Sequence, residues 1–194
     1  IFLEDMRKEV LRHSNNKLHF PVDPTSREEA LVGGILSCNA SGFIPGPAGA
    51  TRFWTEGLEF LTPNGHKISC KRREYISENG EFILEFPDES VAMKILTYPR
   101  PDIKNASGPY SDADGVIDLV DLIVGSEGIF GLITSVTFRL KEMPTEFLDL
   151  FFTLPTEMDA VNFHQYISNH FNGDLSQITA LEYFGYNCQP YMDH

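Results

Sequence analysis

Hydrophobic and polar positions alternate most regularly past the middle of the chain. Between residues 132 and 140, Leu132, Thr134, Val136, Phe138 and Leu140 fall on one face, with Ile133, Ser135, Thr137 and Arg139 on the other. That period of two predicts a strand. A hairpin is predicted upstream: residues 58–62 run out, Pro63, Asn64 and Gly65 turn, and residues 66–70 return. A further β signal covers residues 80–86, and the apolar Leu122, Ile123 and Val124 read as strand. Residues 1–14 carry a helical period instead. Phe2 or Leu3, Met6, Val10 and Leu11 share one side, Glu4, Asp5, Arg7, Lys8 and Arg12 the other, and Ser14, Asn15 and Asn16 end the helix. Pro21 and Pro24 force residues 20–26 into an extended loop. After a linker at 141–144 the pattern predicts a strand at 148–154 and a strand at 178–184. Between them lies a helix that opens on Thr156 and Asp159, turns Ala160, Val161, Phe163, Ile167 and Phe171 to one side, and stops at Gly173.

Between the apolar run 122–124 and the alternating run lies a glycine-rich turn, with Gly125, Gly128 and Gly131 inside seven residues. Such a backbone can take positive φ and lets a ligand approach where no Cβ stands. By spacing alone this is either a cradle or an ordinary glycine-rich connection. Gly33 and Gly34, followed by small residues, form a second place of the same kind.

Other residue groups carry less. Asp112, Asp114, Asp118 and Asp121 miss EF-hand spacing and read as a solvated acidic loop. His164 and His170 are six apart, off a common helix face, so no metal site is expected. The three cysteines, Cys38, Cys70 and Cys188, form no CxxC pair, which excludes a coded zinc or iron–sulfur site and suits a reducing cytoplasm. Cys38 reads as a small buried side chain, and Arg52 as an ion-pair partner.

The chain has 194 residues and 42% hydrophobic content, enough for one domain and a fraction of another. Its 15 Lys and Arg against 28 Asp and Glu give a net charge of −13, which argues against nucleic acid and anionic membrane surfaces as partners. No apolar run is long enough to span a bilayer, and the charged start is not a signal peptide.

Four ordered blocks point further. GSEGIFGLIT at 125–134 resembles the GSEGTLGIIT signature of FAD-linked oxidases with a vanillyl-alcohol-oxidase (PCMH) type of flavin-binding domain. FPVDPTSREEALVGGILSCNASG at 20–42 resembles that family's FPPDPSS…TIGGNIA.NASG, and GATRFWTEGLEFLTPNG at 49–65 its YGTTRDWVLGLEVVLADG. IKNASGPY at 103–110 sits where members carry KNAAGYY. Departures are Arg27, Glu28 and Glu29 in place of small residues, Ala48 in place of a Tyr before Gly49, and a region 72–104 longer than in the shortest members, which reads as a surface elaboration.

The resemblance implies an α+β fold. Residues 1–143 would be the later part of a PCMH-type FAD-binding α/β subdomain, a mixed, largely antiparallel sheet with flanking helices. Residues 144–194 would begin a ferredoxin-like cap domain. It implies FAD as cofactor, held by Pro24, Thr25, Ser26, Ala30, Leu31, Gly33, Gly34, Cys38, Asn39, Ala40, Ser41, Gly49, Glu127, Gly128, Ile129, Phe130, Gly131, Leu132 and Ile133. Asn39 and Ser41 would offer hydrogen bonds. The implied activity is oxidation of a 2-hydroxy acid such as D-lactate or glycolate by hydride transfer to flavin N5. An acceptor protein or quinone would take the electrons, oligomerisation is possible, and the location is cytoplasmic or peripheral to an inner membrane. A non-catalytic flavin-domain module and a non-redox flavoenzyme of the alkylglycerone-phosphate synthase sort are the alternatives. The family's glycine-rich pyrophosphate loop and its catalytic cap residues have no matching positions here. No catalytic residue is therefore carried over, and the sequence reads as the interior of a longer protein.

Overall fold

The computed structural model describes residues 1–191 other than 97, 102, 109, 110, 113 and 186. Pro109 and Tyr110 of the 103–110 block lie outside the described residues, as does the end of the 144–194 segment. The elements in order are α1 (Leu3–His13), β1 (Leu18–His19), α2 (Val32–Ser37), α3 (Thr51–Trp54), β2 (Thr55–Leu61), β3 (Lys67–Lys71), β4 (Glu81–Glu85), β5 (Ser90–Lys94), α4 (Leu119–Ile123), β6 (Leu132–Phe138), β7 (Lys141–Glu142) and α5 (Glu157–His170). β2 is the middle strand of an antiparallel sheet ordered β3-β2-β6, β4 pairs with β5, and β1 pairs with β7. The architecture is thus mixed α and β with antiparallel strands. Among the described residues no helix is long and apolar enough to cross a membrane.

Two cores form. The larger gathers Leu58, Phe60, Ile68 and Cys70 of the sheet, Phe82 and Leu84 of β4, and Leu119, Val120, Leu122 and Ile123 of α4. The smaller gathers Leu3, Phe20, Val22, Ile44 and Trp54. Helix α2 joins them: Val32 and Leu36 enter the first core and Ile35 the second. Its remaining face, Gly33, Gly34 and then Cys38, is left to the surface.

The expected hairpin at 58–70 forms, with Gly65 at φ +88° in the turn. Helix α1 ends at Ser14, where Asn15 and Asn16 take positive φ. Four expectations change. Residues 122–124 are not strand: 122 and 123 end the short helix α4, whose first turn is capped by the Asp118 carboxylate accepting from the Val120 N–H at 2.8 Å. A short apolar run carries no period, so the cap decides it. The faces of β6 change phase at a bulge. Glu59 lies opposite Ser135 and Phe60 opposite Ile133, leaving Thr134 over. Ile133, Val136 and Phe138 therefore face the core, while Leu132 is 68% exposed. The 72–104 region is more than a surface elaboration, since Phe82 and Leu84 are buried. Residues 148–154 and 178–184 form no strand, although the Leu181 N–H donates to Phe43 O at 3.3 Å. Helix α5 does form, with the reciprocal Thr156–Asp159 cap and Gly173 at φ +82°, but it buries no residue.

Candidate functional site

The site is built where α2 ends. Helix α2 is only six residues long, and its last carbonyls are taken up by the glycine turn: the Gly125 N–H donates to Leu36 O and the Glu127 N–H to Ser37 O, each at 2.9 Å. Two segments almost ninety residues apart are thus sewn together by main chain. The turn itself is two successive reverse turns, Ser126 O accepting from Ile129 N–H and Gly128 O from Gly131 N–H. Gly125, Glu127, Gly128 and Gly131 take positive φ (+84°, +53°, +82° and +147°), the conformation that the glycine spacing anticipates.

The glycines sort into two kinds. A Cβ at Gly33 or Gly34 would meet nothing within 4 Å, and one at Gly128 would meet only Gly131 O at 4.0 Å. Gly131 is different, because a Cβ there would collide with the Leu61 carbonyl. Gly49 is buried, and its Cβ would collide with the Ile44 carbonyl and crowd the Lys104 chain. The first three face open space; the last two let the chain pack on itself.

The remaining expected residues spread around this seam. Pro24 is buried, and Thr25 and Ser26 are exposed, on the wall of a polar cavity of about 450 Å³ closed by Asp23, Arg27, Glu28 and Phe43. Arg27 is an ion-pair partner there, one nitrogen lying 3.1 Å from both Asp23 carboxylate oxygens. Ala30 and Leu31 pair with the start of α1, Ala30 O accepting from Leu3 N–H. Ala40 O accepts from the Thr51 N–H and hydroxyl, and Ser41 bridges Ala50. Cys38 is exposed rather than buried, because it caps the C-terminus of α2 on its outward side. Ile129 is 76% exposed, whereas Phe130 and Ile133 pack inward.

Asn39 is fully buried and its side chain is spent within the protein. Its Oδ1 accepts from the Arg52 N–H at 2.9 Å, and its Nδ2 donates to Ala106 O at 3.2 Å. It therefore holds the site together rather than offering a side-chain hydrogen bond outward.

Beneath the seam lies a charged cluster. Arg52 is 5% exposed, and its guanidinium donates to Ser107 O at 2.8 Å and Val124 O at 2.5 Å. Asp121 accepts from Arg72 at 2.9 Å and Arg100 at 2.6 Å, and its Oδ1 is 3.9 Å from Arg52 Nε. Burial alone pushes the Asp121 carboxyl up, but the Arg72 hydrogen bond and the Arg72 and Arg100 charges outweigh it and hold it low. Asp118, with less help, is raised by burial. So two of the four aspartates expected in a solvated loop are structural, while Asp112 and Asp114 are exposed as expected. Among the described residues no cluster of His, Cys, Asp or Glu could hold a metal ion. The Cys70 thiol is pushed up to about 12 by burial, and is inert. Sequence reasoning did not assign Lys104 or residues 105–108 to the site. Lys104 donates to Gly42 O, and its own pKa is lowered by burial. The lysine and glycine flanking that block were the signal available.

No protein-family model matches the chain. It is 26% identical over 167 residues to a D-2-hydroxyglutarate dehydrogenase of Stutzerimonas stutzeri, covering 86% of this chain and 27% of that protein. It is 28% identical over 162 residues to a D-lactate dehydrogenase of Archaeoglobus fulgidus, covering 84% and 28%. A mitochondrial D-lactate dehydrogenase [cytochrome] of Arabidopsis thaliana is 35% identical over 75 residues, 39% of this chain and 13% of that one. Among solved structures, an alkyldihydroxyacetonephosphate synthase covers 88% of this chain and 23% of its own, with 18% identity and a TM-score of 0.49. The chain spans roughly a quarter of the length of the curated relatives that it matches over most of its own.

Proposed function

Since this chain belongs to the FAD-linked oxidase family of these dehydrogenases, we propose that its residues 20–42 and 125–133 form one side of a flavin site in an enzyme that oxidises a 2-hydroxy acid. The observation that carries this is the pair of main-chain hydrogen bonds from Gly125 and Glu127 to Leu36 and Ser37. They tie the end of α2 to the turn, and the reading is supported by the open space before the main chain at 33, 34 and 128, where a Cβ would meet at most one atom, at 4.0 Å. A bound flavin would supply the redox chemistry, as hydride acceptor for the 2-hydroxy acid.

This chain's share is orientation. Gly33, Gly34 and Gly128 give access, the Thr25, Ser26 and Ser41 hydroxyls serve as side-chain donors, and Asn39 acts from below by fixing the frame. No residue here is assigned to taking the hydroxyl proton. D-lactate and D-2-hydroxyglutarate are the substrates in the relatives' names, and glycolate shares their 2-hydroxy acid group. We assign residues 144–194 to the start of a substrate-covering unit, in keeping with a helix α5 that buries no residue.

FAD titration of the chain, read by quenching of flavin fluorescence, tests the cofactor reading: saturable quenching is expected, and no uptake would overturn it. Anaerobic addition of D-lactate, D-2-hydroxyglutarate or glycolate to flavin-loaded protein carrying the whole family architecture tests the substrate class. Bleaching by none of the three would remove it.

A further inference from the structure

We propose that Arg52 is a positioning residue, a buried clamp that sets the glycine turn and the 105–108 loop against the end of α2. The inference deepens the flavin reading above and rests on it. Three contacts converge on this one side chain and its own amide. The guanidinium takes Val124 O, the carbonyl immediately before Gly125, at 2.5 Å, and Ser107 O, immediately before Gly108, at 2.8 Å. The Arg52 N–H meets Asn39 Oδ1, and Asn39 in turn donates to Ala106 O.

The glycines on either side record the same wedge. A Cβ at Gly125 would lie 2.9 Å from the Arg52 Nη2, and one at Gly108 2.7 Å from the same atom. Both positions also carry φ in the left-handed half of the map, +84° and +150°. The guanidinium therefore occupies the space that two side chains would need, and it stacks three segments around one cation. Asp121 supplies the countercharge at 3.9 Å while Arg72 and Arg100 fix its carboxylate. The planar fork presents Nη1 to Ser107 O and Nη2 to Val124 O at a fixed spacing, a geometry that the single nitrogen of an ammonium on a flexible stem does not reproduce.

The test is Arg52→Lys in the 194-residue chain, read first by amide hydrogen exchange without cofactor. Exchange should speed up at Gly125 and Glu127, whose N–H groups are bonded to α2, and across 105–108, while β2 and β3 amides keep their protection. A control destabilised elsewhere, Leu84→Ala, should not produce that local pattern. FAD affinity should then fall by about tenfold or more, the loss expected when a charged hydrogen bond is removed. If Arg52→Lys does not fold, Asp121→Asn, which keeps shape and removes the countercharge, should show the same local opening. Unchanged exchange at 125 and 127, or uniform opening of every strand in both variants, overturns the clamp. Local opening with unaltered FAD affinity overturns its bearing on the cofactor. Failure of the parent chain to take up FAD strikes the flavin reading instead, and leaves the exchange result to decide the clamp.

Discussion

Gly128 and Gly33 separate two effects that a single glycine substitution usually mixes. Gly128 sits at φ +82° with open space before it, so Gly128→Val adds both backbone strain of about 1–2 kcal/mol and a branched side chain in the cradle. Gly33 lies in the first turn of α2 with equally open space and no such φ. Gly33→Ala should raise the melting temperature slightly, since Ala is favoured over Gly in a helix by about 1 kcal/mol. Both variants should weaken FAD binding in a fluorescence titration; a Gly33→Ala chain that binds FAD as well as the parent would remove that position from the cradle. Asp121 gives a pH signature. Its folded-state pKa is lowered, so its contribution to stability is complete above the unfolded value near 3.9 and is lost as pH falls through the folded value. Asp121→Asn should flatten the acid limb of a urea-unfolding series, because the group that titrates there is gone. Equal acid limbs in the two proteins would contradict the ion-paired carboxylate.

Among the elements, those with a clear period and a clear boundary were legible. Helix α1, the 58–70 hairpin and the Thr156–Asp159 box all follow from local rules. Segments whose state depends on a distant partner were not. Residues 122–124 are as apolar as any strand, but the Asp118 cap starts a helix through the first two of them. The 148–154 run alternates well enough for a strand and finds no ladder to join. The phase of β6 depends on a bulge that only the pairing with β2 reveals. Because α5 buries no residue, its own cap matters to it more than tertiary packing does. Thr156→Ala should cost the helix about 1 kcal/mol. The effect should appear as faster exchange of α5 amides with the melting of the body unchanged; a drop in the melting temperature of the sheet would mean that α5 is coupled to it.

At the scale of the molecule, the glycine motif was readable in sequence because it is local, while the frame beneath it was not. Arg52, Asn39, Asp121 and residues 105–108 meet through contacts spanning as many as 72 positions, and no pattern along the chain announces that meeting. The surface tells a second story. Leu148, Leu150 and Phe151 are 81%, 71% and 89% exposed, beside a half-exposed Phe152. An apolar strip of this kind on an otherwise acidic chain favours association. The 194-residue chain should self-associate with rising concentration in light scattering, and Phe151→Glu should suppress it; concentration-independent scattering by the parent would show the strip to be harmless.

The wedge between Gly108 and Gly125 also constrains the order in which this protein can change. Either glycine can gain a side chain only after the arginine between them has shrunk, yet shrinking the arginine first strands two carbonyls. Each single step is harmful, whichever comes first. The three positions are consequently held as a set by mutual obstruction, and descendants of this sequence should keep or lose them together.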